Sequence, residues 1–249
     1  MCADFITLTC DNLANEHLSC IIRSKKLHPG VEAKRQWLAD RLPEGHVFRK
    51  LNEKATAMIE YAPLETAWTP IVGENYFYLY CLWTCGSAKG QGYGRALMES
   101  CIADARSKGR SGICMLGAAK QKAWLSDQSF AQKYGFEVVD STDNGYDLLA
   151  LSFDGTVPKF AESAKKMSID DERLTIYYDM QCPFIFQRIE SLRQHCDEAG
   201  IPARFLLVDS LQAAKSLPCV FNNWAAFYRG VFQTVNLLDV SSLERMLKK

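Results

Sequence analysis

"CGSAKGQGYGRAL", residues 85–97, sets four glycines among small and basic residues directly ahead of a helical pattern. Before it, "YFYLYCLWT" (76–84) reads as a strongly apolar strand. After it, apolar residues at 97, 98, 101, 102 and 105 keep helical spacing until Gly109. Strand, glycine loop and helix in that order have a physical consequence. The first turn of a helix leaves several N–H groups without internal partners, and its dipole favours negative charge there. Gly90, Gly92 and Gly94 admit positive φ and let the backbone approach a ligand with no Cβ in the way. Together they make a cradle suited to a phosphate or pyrophosphate. A plain glycine-rich turn is the competing reading.

Two better-known phosphate motifs fit less well. A P-loop requires Lys-Ser or Lys-Thr after the last glycine, and neither follows Gly92 or Gly94. A dinucleotide fingerprint requires Gly-x-Gly-x-x-Gly in the first strand–helix unit. Here the spacing is Gly90-x-Gly92-x-Gly94, after several strands.

The flanking sequence places the loop in a larger plan. The chain of 249 residues has room for one large or two smaller domains. A content of 48% hydrophobic and 23% charged residues is that of a globular protein. Twenty-nine basic and 29 acidic residues cancel, so the total supplies no field for nucleic acid or anionic lipid. The longest uncharged apolar stretch, Tyr76 to Cys85, is far short of the roughly 18 residues that span a bilayer. The start, "MCADFITLTC", has no basic segment ahead of an apolar core and does not read as a secretory signal. Ten scattered cysteines without a CxxC pair read as reduced thiols of a cytosolic protein. The four histidines lack ligand spacing with them, so no metal site is expected.

"FITLTC" alternates like a strand, and "ANEHLSCIIRS" reads as a helix with Leu18, Ile21 and Ile22 on one side. "VEAKRQWLADRL" is a second amphipathic helix, stopped by Pro43 and Gly45. The strands "HVFRKL", "ATAMIEYAP" and "YFYLYCLWT" precede the loop. "SGICMLGA" (strand), "WLSDQSFAQKYG" (helix), "FEVVDS" and "YDLLALSF" (strands) follow its helix. This order predicts an α/β or α+β layer with one interrupted sheet over residues 1–153. Residues 154–171 read as a polar linker or surface helix, and 172–249 as a second, smaller α/β domain. The latter begins with the strand "LTIYYDM" and a helix from Pro183 to about Ala199, then the strand "ARFLLVD" and a short helix. It ends with a hairpin about Arg229-Gly230 and the helix "SSLERMLKK".

"LWTCGSAKGQGYGRAL" resembles motif A of the GNAT superfamily of acyl-CoA N-acyltransferases, with Lys89, Gly92 and Gly94 at the Gln/Arg-x-x-Gly-x-Gly/Ala positions. Lys at the first position keeps the positive charge. "FAQKYGFEVVD" resembles the family's later helix-to-strand junction at Gly135-Phe136. The resemblance implies a mixed, splayed sheet that binds acetyl-CoA, with no metal. The backbone of Leu82, Trp83 and Thr84 would pair with the pantetheine arm. The amides of Lys89, Gly90, Gln91, Gly92, Tyr93, Gly94 and Arg95 would hold the pyrophosphate. A backbone N–H near Trp83 would polarise the thioester carbonyl. The activity implied is transfer of the acetyl group to a primary amine by direct attack in a ternary complex.

Acyl transfer to an amine requires a base for the nucleophile and often an acid for the thiolate. The family's usual tyrosine falls at Ala131 and is absent. Tyr134 is a candidate acid or a packing residue. Glu60, in "AMIEYAP", is a candidate base or part of a solvated strand face. Tyr61, Trp68, Tyr76, Tyr78 and Tyr80 would line an acceptor pocket or pack the sheet. In the second domain, Cys182 precedes a helix whose dipole favours a thiolate. The order of elements resembles a thioredoxin-like fold, with Pro218 at the usual cis-proline position and Ile185 where a resolving cysteine would stand. Cys219 is the remaining candidate partner of Cys182. "IEYAP", "LWTCG", "GFEVVD" and "YYDMQCPF" together resemble the YoaP-like acetyltransferases over nearly the whole chain. A thiol-redox protein centred on Cys182 and a non-catalytic acyl-CoA-binding module are the alternatives.

Overall fold

The computed structural model describes residues 4–18, 27–52 and 56–248. Its described residues fall into two compact units, one of 4–18, 38–52, 56–67 and 71–159, the other of 27–37, 68–70 and 160–248. No helix among them is long and apolar enough to cross a membrane.

The first unit is built on a seven-stranded mixed sheet of order β1-β2-β3-β5-β6-β8-β7. Its strands are β1 (Phe5–Thr7), β2 (Val47–Leu51), β3 (Thr56–Pro63), β5 (Tyr76–Cys85), β6 (Gly112–Ala118), β7 (Glu137–Ser141) and β8 (Tyr146–Ser152). Two short strands, β4 (Ile71–Val72) and β9 (Lys159–Phe160), lie outside it. Every neighbouring pair is antiparallel except β5 and β6, which run parallel. Helix α1 (Pro29–Arg41), of which residues 29–37 count with the second unit, begins on proline, whose missing N–H is no loss in a first turn, and ends before Gly45 at φ 91°. Helix α2 (Tyr93–Ser107) lies on one face, burying Leu97, Met98, Cys101 and Ala105 at helical spacing. They meet Ile59, Tyr61, Phe77, Leu79, Ile113 and Met115 from the sheet. Each fully buried side chain of this size stabilises the unit by roughly 1.5–3 kcal/mol.

Three expectations change. Residues 14–16 form a turn and a bend, 17 and 18 belong to no regular element, and Ile21 and Ile22 lie outside the described residues. The helix expected over 124–135 is only α3 (Gln128–Gln132), because Trp124 takes φ 70° and Asp127 caps the chain three residues later. The segment after residue 153 is less polar in place than in sequence, since Phe160, Ala164 and Met167 are buried.

The second unit carries a four-stranded sheet of order β11-β10-β12-β13. The strands are β10 (Leu174–Tyr178), β11 (Ala203–Leu207), β12 (Trp224–Tyr228) and β13 (Val231–Thr234). Strands β10 and β11 are parallel, which requires a crossover, and α4 (Phe184–Ala199) provides it. Ile185, Ile189, Leu192 and Cys196 form its buried stripe, and Gly200 at φ 63° closes it. Helix α5 (Leu211–Lys215) follows β11. Arg229 and Gly230, both at positive φ, make the tight turn between β12 and β13. Helix α6 (Val240–Leu247) is closed at its head by a reciprocal Asp239–Ser242 capping box.

Candidate active site

Along β5 the pairing is unequal on its two sides. Against β3 it runs from Phe77 to Cys85, whereas against β6 it covers only Tyr76, Tyr78 and the residue between. Beyond that point β6 goes on to pair with β8, and β5 goes on to pair with β3. The two parallel neighbours therefore part after three residues and leave facing strand edges. The Leu82 N–H lies on this edge and donates to Ser126 Oγ at 3.3 Å.

Tyr80 is an extra residue in β5, since Glu60 pairs with Cys81 and Tyr61 with Leu79. Such a bulge reverses the alternation of side chains. Before it, Phe77 and Leu79 face α2; after it, Leu82 and Thr84 do, as a Cβ on Gly94 would lie 3.7 and 3.6 Å from their methyl carbons. Trp83 is thereby turned to the opposite face, 44% exposed.

The loop leaves β5 through a short 3-10 turn, Gly86–Ala88. Gly90 and Gly92 take φ of 79° and 81°, and a Cβ on either would meet no atom within 4 Å. Gly92 caps α2 without a side-chain bond, and Ala96 N–H donates to Gly92 carbonyl at 3.0 Å as the first helical bond. The amides of Gly92, Tyr93, Gly94 and Arg95 thus have no acceptor inside the helix. The expected set of amides is narrower than the sequence implied: Lys89 N–H donates to Gly86 carbonyl and Gln91 N–H to Ala88 carbonyl. Arg95 pairs with Glu99 at 2.7 Å on the surface.

Glu60 is fully buried rather than on a solvated face, and its Oε1 lies 3.0 Å from His46 Nε2. Removing two ionisable groups from water is costly, and the bond between them offsets part of that cost. The His46 ring packs on Tyr80, 5.2 Å between centroids, and Tyr80 packs edge-on against Tyr78 at 4.8 Å. The expected aromatic set divides. Tyr61 is on the α2 face, its hydroxyl donating to Asp104 Oδ2 at 2.9 Å. Tyr76 donates to the Thr156 carbonyl, and Trp68 belongs to the second unit, where it packs edge-on against Trp37. Ala131 is buried in the α2 core. Tyr134 is partly buried against Phe130; burial pushes its hydroxyl above the usual phenol range, Glu99 adds to this and Arg95 opposes it.

Two residues escaped the sequence reading. Ser126 stands between buried Leu125 and the α3 cap Asp127, whose Oδ1 accepts from Ser129 N–H at 2.9 Å. Gln128 Oε1 is buried without a hydrogen-bond partner among the described residues, and it lies 2.7 Å from where a Cβ on Gly117 of β6 would stand. Only the Asp-x-x start of a short helix hinted at this region.

In the second unit Cys182 directly precedes α4, and no disulfide joins it to Cys219. Cys219 is fully buried, which pushes its thiol far above the ordinary range. Ile185 is in the core, and no peptide bond among the described residues is cis, Pro218 included.

The acetyltransferase (GNAT) family matches residues 11–136, and the YoaP-like family matches 202–245. Over 245 residues the chain is 34% identical to the uncharacterized N-acetyltransferase YoaP of Bacillus subtilis (strain 168), covering 98% of each chain. It is similar to the solved PaiA N-acetyltransferase of Thermoplasma acidophilum in complex with coenzyme A, at 14% identity over 61% of this chain and 100% of that one, with a TM-score of 0.43. A GNAT family acetyltransferase of Brucella melitensis in complex with acetyl-CoA is similar at 15% identity over 63% of this chain and 92% of that one, with a TM-score of 0.40.

Proposed function

The chain belongs to the GNAT acetyltransferase family, and on that premise we propose that it transfers an acetyl group to a primary amine by direct attack in a ternary complex. It is an acetyl-CoA-dependent acyltransferase. The acceptor is a small-molecule or peptide amine.

One observation carries the reading: the unpaired edge of β5 leads straight into a helix head whose amides face no acceptor of their own. The chain fits acetyl-CoA at three points. Gly90 and the first turn of α2 offer N–H donors to a pyrophosphate, with no Cβ at Gly90, Gly92 or Gly94. The edge at Leu82, Trp83 and Thr84 offers peptide groups to the pantetheine amides, as a neighbouring strand would. Gln128 Oε1, buried and unsatisfied, is an acceptor waiting for a donor.

When bound, acetyl-CoA supplies an acetyl group activated as a thioester. A backbone N–H of this edge other than that of Leu82, which donates to Ser126 Oγ, is the donor we assign to the thioester carbonyl. Glu60 is the candidate base for the acceptor amine, with His46 fixing its orientation. Tyr134 keeps its proton through neutral pH, and the influence of Arg95 and Glu99 on it supports a place at the head of α2.

For the second unit we favour a thioredoxin-like scaffold without redox turnover, its continuous part starting near residue 160. The succession β10-α4-β11-α5-β12-β13-α6 with sheet order β11-β10-β12-β13 supports the fold. A buried Ile185 in place of a second thiol supports the absence of a dithiol cycle.

Gly92→Val tests the cradle. Its φ of 81° strains any β-branched residue, although no atom crowds the site. Ligand at about 100 times its dissociation constant stabilises a protein by about 2.7 kcal/mol. The expected outcome in a thermal melt is that CoA raises the wild-type midpoint and leaves that of Gly92→Val where it was. An unchanged CoA response in the variant removes the loop's role. CoA release across a panel of amines then identifies the acceptor.

A further inference from the structure

Acyl transfer from a thioester leaves negative charge on sulfur, and the residue that usually answers it in this family is absent, since Ala131 is a buried core residue. Tyr134 packs on Phe130 against the α2 core. Among the described residues, Ser126 reaches the parted edge, where its Oγ accepts from Leu82 N–H. We propose that Ser126 is a further catalytic residue, whose hydroxyl donates a hydrogen bond to the sulfur that leaves. The inference rests on the reading of this edge as the thioester site.

Three features favour it. Serine oxygen has two lone pairs and one proton, so accepting from Leu82 leaves the O–H free to donate. A hydroxyl that accepts from an amide is polarised into a better donor. Its position is also held on both sides. Gln121 Nε2 donates to the carbonyls of Lys122 and Leu125 at 2.9 and 3.0 Å, Leu125 is buried, and Asp127 is committed to capping α3. A side chain between two anchored neighbours is preoriented, which a charge-stabilising donor requires.

The step balances without proton transfer from serine. The amine nitrogen bonds to the acetyl carbon, the carbon–sulfur bond breaks, and its electron pair stays on sulfur as a thiolate. The amine's surplus proton goes to the base, and the thiolate takes a proton from water after it leaves. Ser126 donates a hydrogen bond throughout and is unchanged at the end.

The test is a cycle between one side chain and one ligand atom. Dissociation constants are measured at pH 8.5 for CoA and for desulfo-CoA, which lacks the sulfur, with wild type, Ser126→Ala and Ser126→Thr. A hydrogen bond to a charged group corresponds to roughly tenfold to a hundredfold when made in full. The expected result is a several-fold or greater loss of CoA affinity in Ser126→Ala, no change for desulfo-CoA, and recovery in Ser126→Thr. Turnover of Ser126→Ala should fall on the order of tenfold to a hundredfold with little change in KM for acetyl-CoA, the sign of an interaction made as charge develops. Equal losses for CoA and desulfo-CoA, or no loss for either, overturn the assignment to sulfur while leaving the site reading intact. Failure of wild type to bind either ligand overturns the site reading itself, and this inference with it.

Discussion

The described residues contain two parallel strand pairs, and they differ in how long they stay together. Strands β10 and β11 pair along all five residues, from Leu174 with Ala203 to Tyr178 with Leu207. Strands β5 and β6 pair over three and part, although β5 is ten residues long. The helix heads differ in the same way. The head of α6 is closed by Asp239 and Ser242, whereas that of α2 is capped by a glycine with no side chain to offer. Where ladder and cap are complete, backbone groups are spent on stability. Where ladder and cap are both left open, amides that no strand or cap engages can serve a ligand.

Changes on the closed side should therefore cost stability, and changes on the open side rate. The largest effect belongs to Ile185→Ala, beneath the closed ladder. Its side chain is fully buried, and truncation of this kind costs about 2–5 kcal/mol. A urea titration reads the loss, and a cost under about 1 kcal/mol would break the contrast at its firm end.

On the open side, Glu60→Gln keeps the shape of the buried pair and removes the ionisable carboxyl. Loss of a general base lowers turnover by roughly a hundredfold or more. Steady-state kinetics should show this in kcat, with KM for acetyl-CoA little changed. A fall in stability with normal turnover would make Glu60 a packing residue and His46 its structural partner.

The smallest effect sharpens the comparison of helix heads. Asp239→Ala removes the cap of α6 and should cost about 1 kcal/mol, with CoA binding untouched. Hydrogen bonds from Ser242 hold the Asp239 carboxyl below its usual range. A carboxyl depressed in the folded state stabilises above its unfolded value and loses that contribution as pH falls through the folded one. The difference between wild type and Asp239→Ala should thus be full at pH 7 and shrink below about pH 4. A gap that stays constant into acid would show that the charge has no part in it.

Much of this contrast was legible from residue order. The glycine spacing gave the loop and its helix, and alternation and length gave β3, β5 and α4. What stayed hidden depended on contacts across the chain. His46 and Glu60 are fourteen residues apart and meet because β2 and β3 are antiparallel with Val47 opposite Tyr61. Their shared face could be inferred only once that register was known. The extra residue at Tyr80 left no mark in a run that is apolar at every position. Trp124 and Leu125 extended an apparent helix because hydrophobic spacing does not report a positive φ. Ser126 and Gln128 look like ordinary polar residues of that apparent helix until Leu82 of β5 and Gly117 of β6 are beside them.

That extra residue at Tyr80 works as a half-step in the strand. A chain shortened by one residue there would restore strict alternation and turn every later side chain of β5 over. Trp83 would be driven inward against the helix, and Leu82 and Thr84 would come out to water. The peptide groups now presented along the parted edge would swap with those bound to β3. A single codon thus sets which half of this strand's backbone is spoken for and which is left to a guest.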